Sequence, residues 1–166
     1  AAVAENTTVD ELTKYCDSVQ FCLSKGLGAP VGSVLVGTHD FIKEARIWRK
    51  RLGGGMRQAG ILAAAGLITL EESPKRLHED HENAKRLAKG LAAIRGIEIN
   101  VETVETNIVI FDISAIGKTA AEIVSALKEK GILAIGFGTK IRFVTHLGIS
   151  MSDSDATLQV TGEIGH

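Results

Sequence analysis

A single lysine lies in the stretch of this sequence that most favours covalent chemistry. Lys25 is part of Ser24–Gly32 (SKGLGAPVG), between two segments of strand-like composition. Glycines in such a loop let a flat ligand approach the backbone closely. A lysine reacts as the neutral amine to form a Schiff base with pyridoxal phosphate. A solvated turn lysine is the alternative, and the spacing matches neither GxGxxG nor GxxxxGK[ST].

Cations dominate the segment 43–57, in which Glu44 is the one acidic residue. Arg57 is the best candidate to bind an anion, because it follows three glycines and begins a predicted helix whose free N–H groups attract negative charge. A solvated helix face explains the same pattern. The cations are Lys43, Arg46, Arg49, Lys50, Arg51 and Arg57.

Arg142 belongs to a predicted strand, Ile141–His146 (IRFVTH). Strand alternation places Ile141 and Phe143 on one face and Arg142 on the other. An arginine in this position could bind a substrate carboxylate through two parallel hydrogen bonds. An edge-strand arginine with a packed stem and a solvated head is the alternative.

Other catalytic patterns find little support. His78 and His81 have i, i+3 spacing rather than the i, i+4 of HExxH, and no third ligand is evident, so a solvated charged helix face is favoured and no metal site is predicted. The sequence shows no convincing Ser-His-Asp or Cys-His arrangement.

The elements that must position these residues fall into two parts, 1–70 and 71–166. The first has predicted strands at Asp17–Ser24 and Val31–Gly37 and predicted helices at Asp40–Leu52 and Gln58–Leu70. The apolar second strand is typical of a strand buried on both faces, and the apolar second helix is typical of a buried one. Because two strands do not form such a sheet alone, we expect part of this domain to be missing.

The second part begins at Glu71–Pro74, where Ser73 is a predicted N-cap and Pro74 the first position of a long helix. The order of elements predicts a small α+β domain with a mostly antiparallel sheet. The elements are a helix to about Ile94, strands at Asn107–Ile113, Ile132–Ile135 and Ile141–Thr145, and a helix at Thr119–Lys130.

Composition excludes several classes of protein. The 166 residues carry 19 Lys+Arg and 20 Asp+Glu, a net charge of −1. The sequence therefore lacks the basic excess that is typical of nucleic-acid-binding proteins. No apolar run approaches the roughly 18 residues of a membrane span, and the N-terminus shows no secretory signal. The two cysteines favour a reducing compartment, either cytoplasmic or mitochondrial.

Four segments together resemble the low-specificity threonine aldolases, in the order found in that family and across about residues 10 to 150. They are Phe21–Ser33 (FCLSKGLGAPVGS), Arg49–Ala64 (RKRLGGGMRQAGILAA), Asp80–Ala84 (DHENA) and Ile141–Leu147 (IRFVTHL).

The resemblance implies an aspartate-aminotransferase-like fold (fold type I), α/β plus α+β, with 1–70 in the large cofactor-binding domain and 71–166 forming the small domain. It implies that Lys25 binds pyridoxal 5'-phosphate covalently and that Arg142 binds the substrate α-carboxylate. Arg57 and Lys50 would reach the cofactor phosphate and the substrate region across a subunit interface.

The implied reaction is the cleavage of threonine or allo-threonine to glycine and acetaldehyde by a homotetrameric lyase. Three features that the family has upstream of its cofactor lysine have no place before Lys25: a histidine that stacks on the cofactor, an acidic partner of the ring nitrogen, and the loop that binds the phosphate. We therefore expect this chain to be a C-terminal half that is inactive alone. The alternative is a non-enzymatic truncated isoform or an oligomer-interaction fragment. Two further departures are Gly148, where the family usually has an acidic residue, and a tail, Ser152–His166, without the expected long amphipathic helix.

Overall fold

A computed structural model describes residues 1–165. The chain divides into two compact units, Ala2–Leu77 and a second unit that begins at His78. Each unit has its own set of helices and strands, and the two are described separately below.

The first unit contains a two-stranded antiparallel ribbon and three helices. In the ribbon, β1 (Ser18–Cys22) pairs with β2 (Ser33–Gly37) so that Cys22 lies opposite Ser33. The helices are α1 (Val9–Thr13), α2 (His39–Arg51) and α3 (Gly60–Glu72). The predicted strands and helices of this part are confirmed, with ends shifted by a few residues.

The predicted burial of this unit is wrong for the chain as it stands. On β2, Leu35 and Val36 are 41% and 50% exposed. On α3, Gly66 is the only buried residue, while Ile61 is 86% exposed. The apolar pattern of both elements suits a sheet with covered faces, but within the described residues this unit supplies only two strands to make it.

The predicted start of the long helix at Ser73 is also wrong. Helix α3 continues to Glu72, a short 3-10 turn follows at Ser73–Lys75, and α4 begins at Leu77 and ends at Ala92. Instead of capping a helix, the Ser73 hydroxyl donates a hydrogen bond to the carbonyl oxygen of Leu27 at 2.6 Å. This bond ties the end of α3 to the loop that contains Lys25.

The second unit is an antiparallel sheet packed against helices, as predicted, although the strand predicted at Ile132–Ile135 is found at Ile135–Phe137. Its core is formed by buried side chains of α4, the sheet and α5, including Leu91, Phe111 and Leu127. The strands are in the order β3-β5-β4, so β5 is central. The elements after α4 are β3 (Ile108–Asp112), α5 (Ala120–Glu129), β4 (Ile135–Phe137), β5 (Lys140–Val144) and α6 (Met151–Gly165).

Helix α6 corrects the expectation that the tail lacks a long helix. Ser150 and Asp153 cap it reciprocally: the Ser150 N–H donates to Asp153 Oδ2 at 2.8 Å, and the Asp153 N–H donates to Ser150 Oγ at 3.2 Å. Arg86 on α4 binds Asp155 through two hydrogen bonds of 2.6 and 2.8 Å. The tail is only weakly amphipathic, so its helical state depends on capping and on docking against α4.

The carboxylate of Asp112 stabilises the end of the sheet and should make the protein acid-sensitive. It accepts hydrogen bonds from Thr139 Oγ1 at 2.7 Å and from the Ser114 N–H at 2.8 Å. These bonds, that from Thr139 foremost, lower the pKa of Asp112 to about 2. Because the folded-state pKa lies below its ordinary value, the stabilisation is present above about pH 4 and is lost as the pH falls towards 2.

We therefore expect Asp112→Asn to flatten the fall in the free energy of unfolding between about pH 4 and pH 2, as measured by urea denaturation across this range. Asp17→Asn, which removes an exposed carboxylate that forms no salt bridge among residues 1–165, serves as the control. Identical pH profiles for wild type and Asp112→Asn would contradict the assignment.

Candidate active site

Lys25 lies on a loop whose backbone is closed on itself. The Leu23 N–H donates to the Gly32 carbonyl at 2.9 Å, the Ala29 N–H donates to the Leu23 carbonyl at 3.0 Å, and the Gly28 N–H donates to the Lys25 carbonyl at 2.8 Å. Gly28 and Gly32 have φ values of +78° and +121°, which favour glycine strongly. The Lys25 side chain is exposed, so its amine is presented on a loop with a fixed backbone.

A thiol beside Lys25 is a site feature that the sequence analysis missed. Cys22 Sγ accepts hydrogen bonds from Ser33 Oγ at 3.5 Å and from Gln20 Nε2 at 3.8 Å. The Ser33 hydroxyl is the largest cause that lowers the pKa of Cys22, and the charge of Lys25 adds to it. The three-residue separation of Cys22 and Lys25 was the available signal, but the cross-strand position of Ser33 is visible only in the ribbon.

Lys50 and Arg57 flank the glycine turn that ends α2. Gly53 has φ +85°, which a side chain rarely adopts, and the Lys50 stem lies across Gly55, where a Cβ would meet Lys50 Cδ at 2.7 Å. Arg57 precedes α3 rather than lying in its first turn, because α3 begins at Gly60. The predicted helix N-terminus around Arg57 is therefore wrong, although both cations are exposed.

Arg142 occupies the position that strand alternation predicts. Its neighbours Ile141 and Phe143 are 0% and 4% exposed in the core, while Arg142 faces the other side of β5 between Ile110 and Ile135. Since β5 is the central strand, the edge-strand alternative is wrong. Arg142 Nε is buried without a hydrogen-bond partner among the described residues, so it retains an unmatched donor that an added acceptor would satisfy.

The predicted site residues thus fall into two groups. Lys25, Lys50 and Arg57 belong to the first unit and Arg142 to the second. Over residues 1–165, no cluster of three or more His, Cys, Asp or Glu side chains could hold a metal ion. In the same range, no helix is both long enough and apolar enough to cross a bilayer.

Comparison with solved structures defines the class of fold. A protein from Exiguobacterium sp. 255-15, classed with aromatic amino acid β-eliminating lyases and threonine aldolases, superposes with a TM-score of 0.75 at 21% identity and covers 98% of this chain and 49% of its own. A phosphoserine aminotransferase from Cytophaga hutchinsonii superposes with a TM-score of 0.62 at 17% identity, covering 91% and 50%. The fold is that of the fold type I, pyridoxal-phosphate-dependent enzymes.

Sequence comparison then defines the family. Residues 1–114 match the model of the β-eliminating lyases, and the chain belongs to this family. It is 49% identical over 160 residues to the low-specificity L-threonine aldolase 1 of Arabidopsis thaliana, covering 95% of this chain and 45% of that protein. The resemblance drawn from the four segments is confirmed, and the chain spans about half the length of the curated relatives it matches.

The candidate site residues fit pyridoxal phosphate, the cofactor that this class of fold implies. Lys25 supplies an exposed primary amine for the aldehyde, and Lys50 and Arg57 supply cations for a phosphate; within residues 1–165 none of the three forms a salt bridge. The unmatched Nε of Arg142 suits a carboxylate. Each group therefore has the chemistry that its predicted role requires.

The hydrogen bond from Ser33 should make Cys22 unusually reactive. A thiolate is the nucleophilic form of cysteine, and a lowered pKa increases its fraction at neutral pH. We expect Ser33→Ala to raise the pKa of Cys22 and to slow its alkylation by iodoacetamide at pH 7, whereas Ser33→Thr, which keeps the hydroxyl, should preserve the rate. Peptide mass spectrometry would follow Cys22 against the exposed Cys16 in the same sample; an unchanged ratio in Ser33→Ala would refute the assignment.

Proposed function

We propose that the protein to which this chain corresponds cleaves threonine or allo-threonine to glycine and acetaldehyde with pyridoxal 5'-phosphate. The observation that carries the proposal is the Lys25 loop, Ser24–Gly32, in a chain 49% identical to a low-specificity L-threonine aldolase. When bound, the cofactor would accept the electron pair that is released as the Cα–Cβ bond of the amino acid breaks.

Each site residue has one task in this proposal. Lys25 anchors the cofactor through its amine, and the closed backbone of its loop limits where that amine can move. Lys50 and Arg57 reach the site across a subunit interface. There they neutralise the negative charge of the cofactor phosphate or contact the substrate region. Arg142 donates hydrogen bonds to the substrate α-carboxylate and so orients the bond to be broken.

The assembly and its cellular setting belong to the same proposal. We propose a homo-oligomer, a tetramer as the resemblance implies, in the cytoplasm or the mitochondrial matrix. The exposed apolar side chains of α3, such as Ile61 and Leu67, support association with further protein surface. The same exposure favours the second candidate, an oligomer-interaction fragment without enzymatic activity, because such a fragment would use this surface alone.

The covalent anchor can be tested directly. Reduction with borohydride in the presence of pyridoxal phosphate, followed by peptide mapping, should label Lys25 in the full-length protein, because reduction fixes the imine to the lysine that forms it. Lys25→Gln should lose the label and the cleavage of threonine, while Lys43→Gln, an exposed lysine of α2, should keep both. A label on another lysine would overturn the assignment.

A cleavage assay on the 166 residues alone and on the full-length protein distinguishes the two candidate functions. We expect the 166 residues alone to release no acetaldehyde from threonine, while the full-length protein does so steadily. Steady cleavage by the 166 residues alone would contradict the proposal that further residues are required, and absence of cleavage by the full-length protein would favour the interaction fragment.

The proposed role of Arg142 predicts that its replacement raises KM for threonine. We expect Arg142→Gln in the full-length protein to raise KM for threonine about tenfold to a hundredfold, because a charge-assisted hydrogen bond to a carboxylate contributes roughly 1.5–3 kcal/mol. Arg95→Gln, an exposed arginine of the same unit, is the matched control. Steady-state kinetics with an unchanged KM in Arg142→Gln would remove Arg142 from the substrate site.

A further inference from the structure

The second unit contains a cavity that the proposed reaction does not use. It has a volume of about 480 Å³ and is lined by residues of α4, β5, α6 and the turn after α5. This volume lies in the range of roughly 300–1,000 Å³ that is typical of small-molecule sites. Its apolar lining includes Leu87, Ile132, Phe143 and Val160.

Two side chains of opposite charge line this cavity without pairing with each other. Lys130 ends the α5 segment and forms no salt bridge among residues 1–165. Asp153 accepts hydrogen bonds from Ser150 at Oδ2 only, and its Oδ1 has no partner in the same range. The Ser150 hydroxyl lowers the pKa of Asp153, so this carboxylate remains ionised at neutral pH.

His146 adds a hydrogen-bond donor to the lining. Its Nδ1 accepts a hydrogen bond from the Gly148 N–H at 3.2 Å. In the neutral imidazole the proton must then reside on Nε2, which becomes available as a donor. The cavity therefore offers two donors that suit a carboxylate, Lys130 and His146, and one acceptor that suits an ammonium group, Asp153.

We propose that this cavity binds a small aliphatic α-amino acid in its zwitterionic form. Its ammonium group would bind Asp153, its carboxylate would bind Lys130 and His146, and its side chain would lie against the apolar wall. A ligand with both charges pairs with both side chains, which are exposed and bind water in its absence, whereas a simple carboxylate or a simple amine pairs with only one kind of charge.

The proposal does not depend on the threonine-cleaving function. Arg142 is not among the residues that line the cavity, although Val144, on the same face of β5, is one of them. The ligand needs neither the cofactor nor Lys25, so binding can be measured on the full-length protein without pyridoxal phosphate.

Isothermal titration of the full-length protein, freed of pyridoxal phosphate, with L-leucine tests the site. Three analogues each lack one element of the ligand: 4-methylpentanoate lacks the ammonium group, isopentylamine lacks the carboxylate, and glycine lacks the apolar side chain. We expect saturable binding of leucine at one site and binding up to about fivefold weaker for the two analogues that lack a charge, since an exposed charge pair contributes up to about 1 kcal/mol. Glycine should also bind more weakly than leucine, because it makes no contact with the apolar wall.

Variants then assign the binding to this cavity. Lys130→Gln should weaken leucine about fivefold and leave isopentylamine no weaker, whereas Lys128→Gln, a neighbouring lysine that does not line the cavity, should change neither. Absence of leucine binding, equal affinity for 4-methylpentanoate, or an unaffected Lys130→Gln variant would each overturn the proposal. Lys25→Gln should bind leucine normally; if it does not, the ligand lies at Lys25 and the cavity is not its site.

Discussion

The burial of the inner face of β5 is the interaction on which the second unit depends. Ile141 and Phe143 project from this strand into the core, and Phe143 contacts Phe111 of β3 with ring centroids 5.1 Å apart. Because successive side chains of a strand point to opposite faces, burying these two residues forces Arg142 to the other side. A shift of one residue in the pairing of β5 would bury the guanidinium and expose the apolar side chains, so the packing of the core sets the orientation of the candidate substrate-binding residue.

The candidate residues of the first unit are positioned by local backbone geometry instead of by a buried core. Lys25 and Arg57 lie on loops and Lys50 lies in the last turn of α2, and backbone hydrogen bonds and glycines in left-handed conformations, rather than a closed core, hold the segments around Lys25 and Lys50. Gly28 and Gly32 allow the Lys25 loop to fold back on Leu23, and Ser73 ties the loop to the end of α3. The apolar faces of β2 and α3 remain exposed within the described residues. An apolar surface of this kind is typical of an interface, which agrees with a chain that spans about half of its relatives.

The amphipathic cavity of the second unit arises from the same architecture. Helix α6 returns along α4, with the Arg86–Asp155 pair holding it there, and a Cβ on Gly90 would collide with Leu158 of α6. This docking brings Asp153 to the cavity that Lys130, at the end of α5, also lines. The two charges are 23 residues apart in sequence, and each alone would be an ordinary surface residue.

The sequence by itself determined the elements and the local geometry of the candidate residues. Strand alternation around Arg142, the glycines around Lys25 and the helix predicted at Thr119–Lys130 are short-range features, since they depend on steric and hydrogen-bonding preferences of neighbouring residues. Tertiary structure decided what depends on distant residues: the exposure of α3, the helical state of the tail beyond Ser150, the hydrogen bond from Ser33 to Cys22, and the central position of β5. Burial and docking are properties of the surfaces that meet, and no local pattern in one segment specifies the segment that will cover it.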